Sequence, residues 1–369
     1  MALLRRHRQG GNALTEQTAA LRPFGRAGFP VTLAGYGAGP IGNLVRVIDE
    51  DQAQALLIDA WERGVRFFDT APLYGHGLSE HRVGHALLHR PRDEFVLSTK
   101  VGRRLYPAEK GTFPTGSWVD TAPFRGEFDY SYDGVMRQVA ESLHRLCTNR
   151  VDILLIHDLD VASHGAALPL RFAEALAGAY PALVELRDQG VVRAIGVGLN
   201  ESEACVTALR TMDLDCLLLA GRYTLLEQAP LDDLLPLCQD RGVAVILGGV
   251  FNSGILAKGA FPGVRHNYAE ASPDALARVQ RLQAACARHE VPLAAAAVQF
   301  VAAHPAVANV CLGARTIEQQ RTNQAAFTHP IPTEFWQELR DEGLIRDDAP
   351  TPLELARRAD SSNRLLDSP

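Results

Sequence analysis

The chain has 369 residues, of which 47% are hydrophobic and 22% charged, with a formal net charge of −6. That balance excludes a disordered or fibrous chain and offers no attraction for nucleic acid or an anionic membrane surface. No segment is apolar for long enough to span a bilayer, and residues 1–20 carry arginines without the apolar run of a signal peptide.

The six cysteines stand singly, at Cys147, Cys205, Cys216, Cys238, Cys286 and Cys311, with no CxxC pair among them. They read as buried free thiols of a cytoplasmic protein rather than as disulfides or zinc ligands. Residues 1–20 are expected as a mobile tail, 21–345 as one barrel domain, and 346–369 as a partly mobile C-terminal segment.

In chain order, Val31–Tyr36 predicts a first strand that runs into a turn rich in glycine, Gly37, Gly39, Pro40 and Gly42. This turn lacks the GxGxxG register of a dinucleotide fingerprint, so it reads as a tight strand-to-helix turn. The pattern then repeats. Predicted helices Asp51–Arg63, Ser79–His89, Tyr132–Leu146 and Leu170–Gln189 each precede an apolar strand: Val65–Asp69, Phe95–Lys100, Val151–His157 and Val192–Val197. Glu201–Thr211 and Leu231–Arg241 precede the strands Leu214–Leu219 and Val243–Leu247. The predicted helices Pro273–His289 and Leu293–His304, the strand Val307–Leu312 and the helix Ile317–Phe327 complete the series.

The strands are continuous apolar runs, as expected where helices cover both faces of a sheet. About eight such units predict an α/β fold, a (β/α)8 TIM barrel, rather than an open doubly wound sheet. The segment Gly102–Asp129, rich in Gly, Pro and aromatic residues, is an insertion expected to wall the active site.

Three strands end in ionisable groups, Asp69, Lys100 and His157, and Tyr74 lies on a loop stiffened by Pro72 and Gly75. Strand C-termini share one face of such a barrel, so these groups are expected to meet there. A free phenol has a pKa of about 10, too high for ready proton exchange near neutrality. A neighbouring ammonium is expected to lower it, and a carboxylate to keep that ammonium charged and oriented. Tyr74 would then be the acid/base, Lys100 its tuner, Asp69 the lysine's partner, and His157 the group that orients a substrate oxygen. Taken singly each has a bland reading, as helix cap, strand terminus, core imidazole or loop aromatic; the joint pattern carries the weight. His81, His85 and His89 share one helix face, but Arg82 follows His81 where a zincin has Glu, so a solvated face is expected and no metal.

These residues in their setting resemble the aldo-keto reductase superfamily: Gly64–Ala71 with Tyr74-Gly75-x-Gly77-x-Ser79-Glu80, then Ser98-Thr99-Lys100, then Asp152–His157. Gly39–Leu44, His157-Asp158-Leu159-Asp160, Gly196–Glu201 and Gly248–Leu256 are similar to its aldose 1-dehydrogenase branch, which includes L-fucose, D-threo-aldose, L-galactose and pyridoxal dehydrogenases. The resemblance spans about Leu33 to Phe327. It implies a barrel that binds an extended nicotinamide dinucleotide, NAD or NADP, and oxidises the anomeric hydroxyl of a sugar to a lactone, or in reverse reduces an aldehyde.

The cofactor positions implied are Asn200 at the carboxamide, Ser253 and Gly254 along the pyrophosphate, and Gly313, Arg315, Thr316, Gln319 and Asn323 at the adenosine phosphate. A helix start can hold a phosphate on its backbone amides there. Ala220 and Gly248 stand where the family has a Gln and a ring-stacking aromatic, which leaves Tyr223 or Phe251 to cover the nicotinamide. Gln319 stands where an arginine often binds a 2′-phosphate, so NAD and NADP both stay open.

The implied partner is a small-molecule sugar or aldehyde; self-association is unread. Alternatives within the same fold are a general aldehyde reductase and a non-catalytic dinucleotide sensor. A metal-dependent hydrolase is disfavoured because no strand carries an HxH pair.

Overall fold

The computed structural model of the chain describes residues 20–267 and 269–353. The expected N-terminal tail, apart from Ala20, and the last part of the C-terminal segment lie outside the described residues. Eight parallel strands close into a barrel: β1 (Ala34–Gly37), β2 (Phe67–Asp69), β3 (Val96–Val101), β4 (Ile153–His157), β5 (Ala194–Leu199), β6 (Cys216–Ala220), β7 (Ala244–Gly248) and β8 (Val307–Leu312). Each pairs with its sequence neighbours, and β8 pairs with β1 to complete the ring.

The outer ring includes α1 (Glu50–Glu62), α2 (Leu78–Leu87), α3 (Tyr132–Arg145), α4 (Tyr180–Asp188), α5 (Ser202–Thr211), α6 (Leu234–Arg241), α7 (Pro273–Arg288), α8 (Leu293–Ala302), α9 (Ile317–Ala326) and α10 (Thr333–Asp341). No helix among the described residues is long and apolar enough to cross a membrane.

The largest apolar core lies between strands and helices, and a second fills the barrel interior. The run Val31–Tyr36, expected as one strand, is two. Val31 and Thr32 belong to an antiparallel hairpin, Leu21–Pro23 with Pro30–Thr32, and β1 starts only at Ala34. Thr32 Oγ1 donates to the Ala34 carbonyl over 2.8 Å and turns the chain between the two pieces. The hairpin carries Phe24, Phe29 and Val31 into contact with Phe67, Ile153, Leu155 and Ile246, and so floors the barrel.

Strand register explains how groups distant in sequence converge. Asp69 lies opposite Ser98, and Lys100 lies two residues further on, on the same face. Lys100 is opposite Leu155, and His157 lies two further on. His157 is opposite Gly198. Each strand climbs one dyad relative to the last, the stagger a closed barrel requires. Asp69, Lys100 and His157 therefore step round the interior toward the C-terminal mouth.

The turn after β1 is a tight turn, a single 3-10 turn over Pro40–Gly42. A Cβ on Gly42 would stand 2.8 Å from the Tyr74 carbonyl carbon, and one on Gly75 2.5 Å from the Gly42 oxygen. Side-chain-free backbone at both points lets the two loops touch. Arg82, buried in α2, braces the same loop. Its Nη1 donates to the Ile41 carbonyl (2.7 Å), its Nη2 to that of Ile48 (2.8 Å), and its Nε to Glu50 (2.8 Å). The insertion after β3 forms a hairpin, Arg103–Pro107 with Phe124–Phe128, whose tip returns to the β1 loop through the Leu44–Trp118 bridge.

Arg82→Ala would leave the buried carbonyls of Ile41 and Ile48 without this donor and remove one of the two donors to Asn43 Oδ1. The expected loss is about 3 kcal/mol of unfolding free energy. A urea titration that shifts the midpoint by less than the equivalent of about 1 kcal/mol would show that the brace is dispensable.

Candidate active site

Lys100 is an enclosed charge at the mouth, 1% exposed. Its Nζ donates to Asp69 Oδ2 and to the Thr70 carbonyl, both over 2.8 Å. Asp69, itself buried, raises the ammonium's pKa above the ordinary lysine value against the opposing effect of burial. The Thr70 position is fixed in turn, because its hydroxyl bonds Ser79 Oγ (2.9 Å) and Ser79 Oγ donates to the Ala38 carbonyl (2.9 Å).

Tyr74 lies against the ammonium, with Lys100 Nζ 4.8 Å from its ring centroid. The His157 ring meets Tyr74 edge-on at 5.9 Å. Asp69, Tyr74, Lys100 and His157 thus form one contiguous cluster.

Electrostatics correct one expectation. The Lys100 charge does pull the Tyr74 pKa down, but burial, aided by the carboxylates of Asp69 and Asp158, outweighs it, and the phenol stands above its ordinary value. Asp69 largely neutralises the ammonium that was expected to acidify the phenol. Burial also pushes the His157 imidazole down to about 3, so the ring is neutral throughout the physiological range. A neutral phenol and a neutral imidazole in ring contact can each donate a hydrogen bond to the same substrate oxygen.

Trp118, from the insertion, stacks on Tyr74 at 5.2 Å with 29° between planes. Asp158, directly after β4, has Oδ1 3.4 Å from His157 Nε2 and Oδ2 2.8 Å from Arg103 Nε. Sequence reasoning assigned no role to Trp118, Asp158 or Arg103. Their positions carried a signal nonetheless, as the residue after a strand-terminal His, the second residue after the Val101 strand end, and a tryptophan inside the insertion.

The sequence of the chain matches the Aldo/keto reductase family over residues 34–342. The chain belongs to the aldo/keto reductase family. This aldo/keto reductase is 42% identical over 334 residues to a pyridoxal 4-dehydrogenase of Microbacterium luteolum, covering 88% of this chain and 97% of that one. It is 40% identical over 332 residues to a D-threo-aldose 1-dehydrogenase of a Pseudomonas species, again covering 88% and 97%. Among solved structures it resembles the holo form of an aldo-keto reductase from Bacillus halodurans, with a TM-score of 0.68 and 26% identity over 88% of this chain and 96% of that one. Family and relatives make the protein an oxidoreductase enzyme.

The positions expected to hold a dinucleotide in this aldo/keto reductase are unevenly placed. Asn200 is half-buried at the end of β5, its N–H 3.4 Å from Asp160 Oδ2. β6 ends in Ala220 and β7 in Gly248, with Gly249 following, a shelf of nearly bare backbone at the mouth. Ser253 and Gly254 both take positive φ, 62° and 100°, and a Cβ on Gly254 would meet nothing within 4 Å, so this loop too leaves room for a ligand.

Gly313 and Thr316 are exposed. Thr316 caps α9 by accepting from Gln319 N, while Gln319 Oε1 accepts from Arg315 N, a reciprocal cap that presents the helix start. Asn323 donates to the Gly313 carbonyl and Arg315 Nη2 to that of Leu44, so both shape this segment from behind. Tyr223 is the exception. It is 1% exposed and packs against Phe300 (5.5 Å) and His304 (5.8 Å), because the chain leaves β6 through Gly221 and turns the ring into the core. Phe251 is half-buried against the core. His81, His85 and His89 are all exposed on the outer surface, and Cys147, expected among the buried thiols, is exposed.

Replacing Lys100 by Met strands the buried Asp69 carboxylate. The single variant should lose about 3–5 kcal/mol of stability, and adding Asp69→Asn should restore part of it. Equal unfolding midpoints for single and double variants would contradict this coupling.

Proposed function

We propose that the protein is an NAD(P)-dependent dehydrogenase that oxidises an aldose at its anomeric carbon to the lactone. The observation that carries this reading is the contact of Tyr74 with both Lys100 and His157 at the barrel mouth. The relatives named as pyridoxal and D-threo-aldose dehydrogenases support the direction and the substrate class.

A nicotinamide dinucleotide, when bound, supplies the hydride acceptor. Asn200, the shelf at Gly248, Ser253, Gly254, Gly313, Arg315, Thr316, Gln319 and Asn323 are the residues assigned to hold or frame it. Arg315, with Arg46 close enough for their charges to interact, keeps NADP open beside NAD. His157 and Tyr74 hydrogen-bond the reacting oxygen and fix the carbon that bears it. Tyr74, as the phenolate, takes the hydroxyl proton during oxidation and, as the phenol, gives one up during reduction, with Lys100 stabilising the phenolate that oxidation uses and reduction leaves. Asp69 keeps Lys100 protonated and aimed. Trp118 covers Tyr74 and offers an apolar face to the C–H side of a sugar ring.

Turnover monitored at the nicotinamide absorbance, over aldoses, pyridoxal and simple aldehydes with each cofactor, tests the reading. Tyr74→Phe should lower kcat by about a thousandfold while the fold is retained. Absence of turnover by the unmodified enzyme with every substrate would overturn the reading.

The pH dependence follows from the two shifted groups. Because the phenol is raised, its protonated form dominates at neutrality. Reduction should be flat from pH 5 to 8, whereas oxidation should climb about tenfold per unit as phenolate becomes accessible. With His157 titrating near 3, no limb should occur between pH 5 and 7. An inflection near 6.5 that disappears in His157→Gln would show that the imidazole does charge.

A further inference from the structure

Along a strand, side chains alternate between faces, so the residue after inward-pointing His157 should face the helices. Asp158 does not continue that pattern. Its φ is +54°, a left-handed conformation uncommon outside glycine, so the backbone leaves the strand at this residue. The bend is held from two sides. Asp158 N–H donates to the Gly198 carbonyl (3.2 Å), and the Tyr130 hydroxyl lies 2.9 Å from the His157 carbonyl. The carboxylate consequently stands beside the reacting groups, Oδ1 3.4 Å from His157 Nε2.

Arg103 fixes the other oxygen through Nε at 2.8 Å, and its guanidinium lies 3.9 Å above the Phe128 ring. An ion pair that only tied the insertion to the barrel would not need a left-handed residue to bring its acid next to His157. Strained backbone of this kind persists where the surroundings over-determine it, which is common at binding sites.

We propose that the Arg103–Asp158 pair is a hydroxyl-recognition subsite. It binds the hydroxyl on the carbon next to the reacting one and thereby selects substrates with neighbouring oxygens over plain aldehydes. The inference rests on the dehydrogenase reading and deepens it. An ionised carboxylate only accepts hydrogen bonds, and an O–H donated to it is charge-assisted. A substrate that lacks that hydroxyl leaves the enclosed carboxylate short of a donor, and sites built this way discriminate strongly. Asp158 also favours the tautomer of His157 that carries its proton on Nε2.

The test compares glyceraldehyde with propionaldehyde, which has the same carbon chain and no hydroxyls, in the unmodified enzyme and in Asp158→Asn, Asp158→Ala and Arg103→Lys. The readout is the ratio of the two kcat/KM values, because a merely structural or histidine-positioning role lowers both together. The unmodified enzyme should favour glyceraldehyde, and Asp158→Asn or Asp158→Ala should reduce that preference by about 100-fold, chiefly through KM for glyceraldehyde. Arg103→Lys, which keeps the charge but loses the planar fork, should give an intermediate ratio. A ratio that stays within about threefold of its starting value in both Asp158 variants, with melting temperature retained, overturns the subsite.

If neither aldehyde turns over in the unmodified enzyme, the dehydrogenase reading is decided by the wider substrate screen, and the subsite is decided by binding alone. L-fucose should raise the melting temperature more than its 2-deoxy analogue, and Asp158→Asn should abolish the difference. No difference in the unmodified protein overturns the proposal.

Discussion

A lysine ammonium 1% exposed inside a barrel is tolerable only because a carboxylate sits 2.8 Å away, and the Asp69–Lys100 pair constrains everything at the mouth. Two ions taken out of water must satisfy one another and their remaining hydrogen-bonding capacity. Lys100 does so with Asp69 and the Thr70 carbonyl, which ties the end of β2, the loop that carries Tyr74 and the end of β3 into one unit. The pair also sets the tone of the site. Because it is nearly neutral as a whole, it leaves the phenol protonated at rest and raises no field that would charge His157. On the proposed reading, proton movement would then be coupled to arriving substrate rather than to a pre-ionised tyrosine.

Around that pair the chain devotes its buried polar groups to holding loops. Glu80, wholly enclosed, accepts from Thr99 (2.7 Å) and Arg145 (2.6 Å), which links α2 to β3 and α3. Arg82 binds the loop after β1 through backbone carbonyls, and Ser79 bridges Thr70 to Ala38. These contacts lie directly behind the glycines that let the β1 and β2 loops touch. A phenol on a loop can be as well placed as one on a strand when the loop is pinned at this many points.

Much of this was legible in the sequence because it is periodic or terminal. Continuous apolar runs that end in Asp69, Lys100 and His157 declared both the barrel and the face on which those groups meet. The break at Leu33 was not legible, since Val31 through Tyr36 reads as one apolar run and only the Thr32 side chain divides it. Tyr223 misled for a related reason. Sequence position put it next to a strand end, but a positive-φ glycine decides which way the following ring turns, and no pattern of residue types reports that. Asp158 was hidden by the alternation rule itself, which assigns it to the wrong face. The phenol's upward shift was missed because its sign depends on the balance of burial against one neutralised cation, a three-dimensional quantity.

The N-terminal hairpin has a consequence for traffic. Phe24, Phe29 and Val31 stopper the lower end of the barrel, so whatever reaches the phenol must come and go by the upper rim. The barrel is thus a vessel closed at one end by packed hydrocarbon, with Trp118 stacked over Tyr74 at the other.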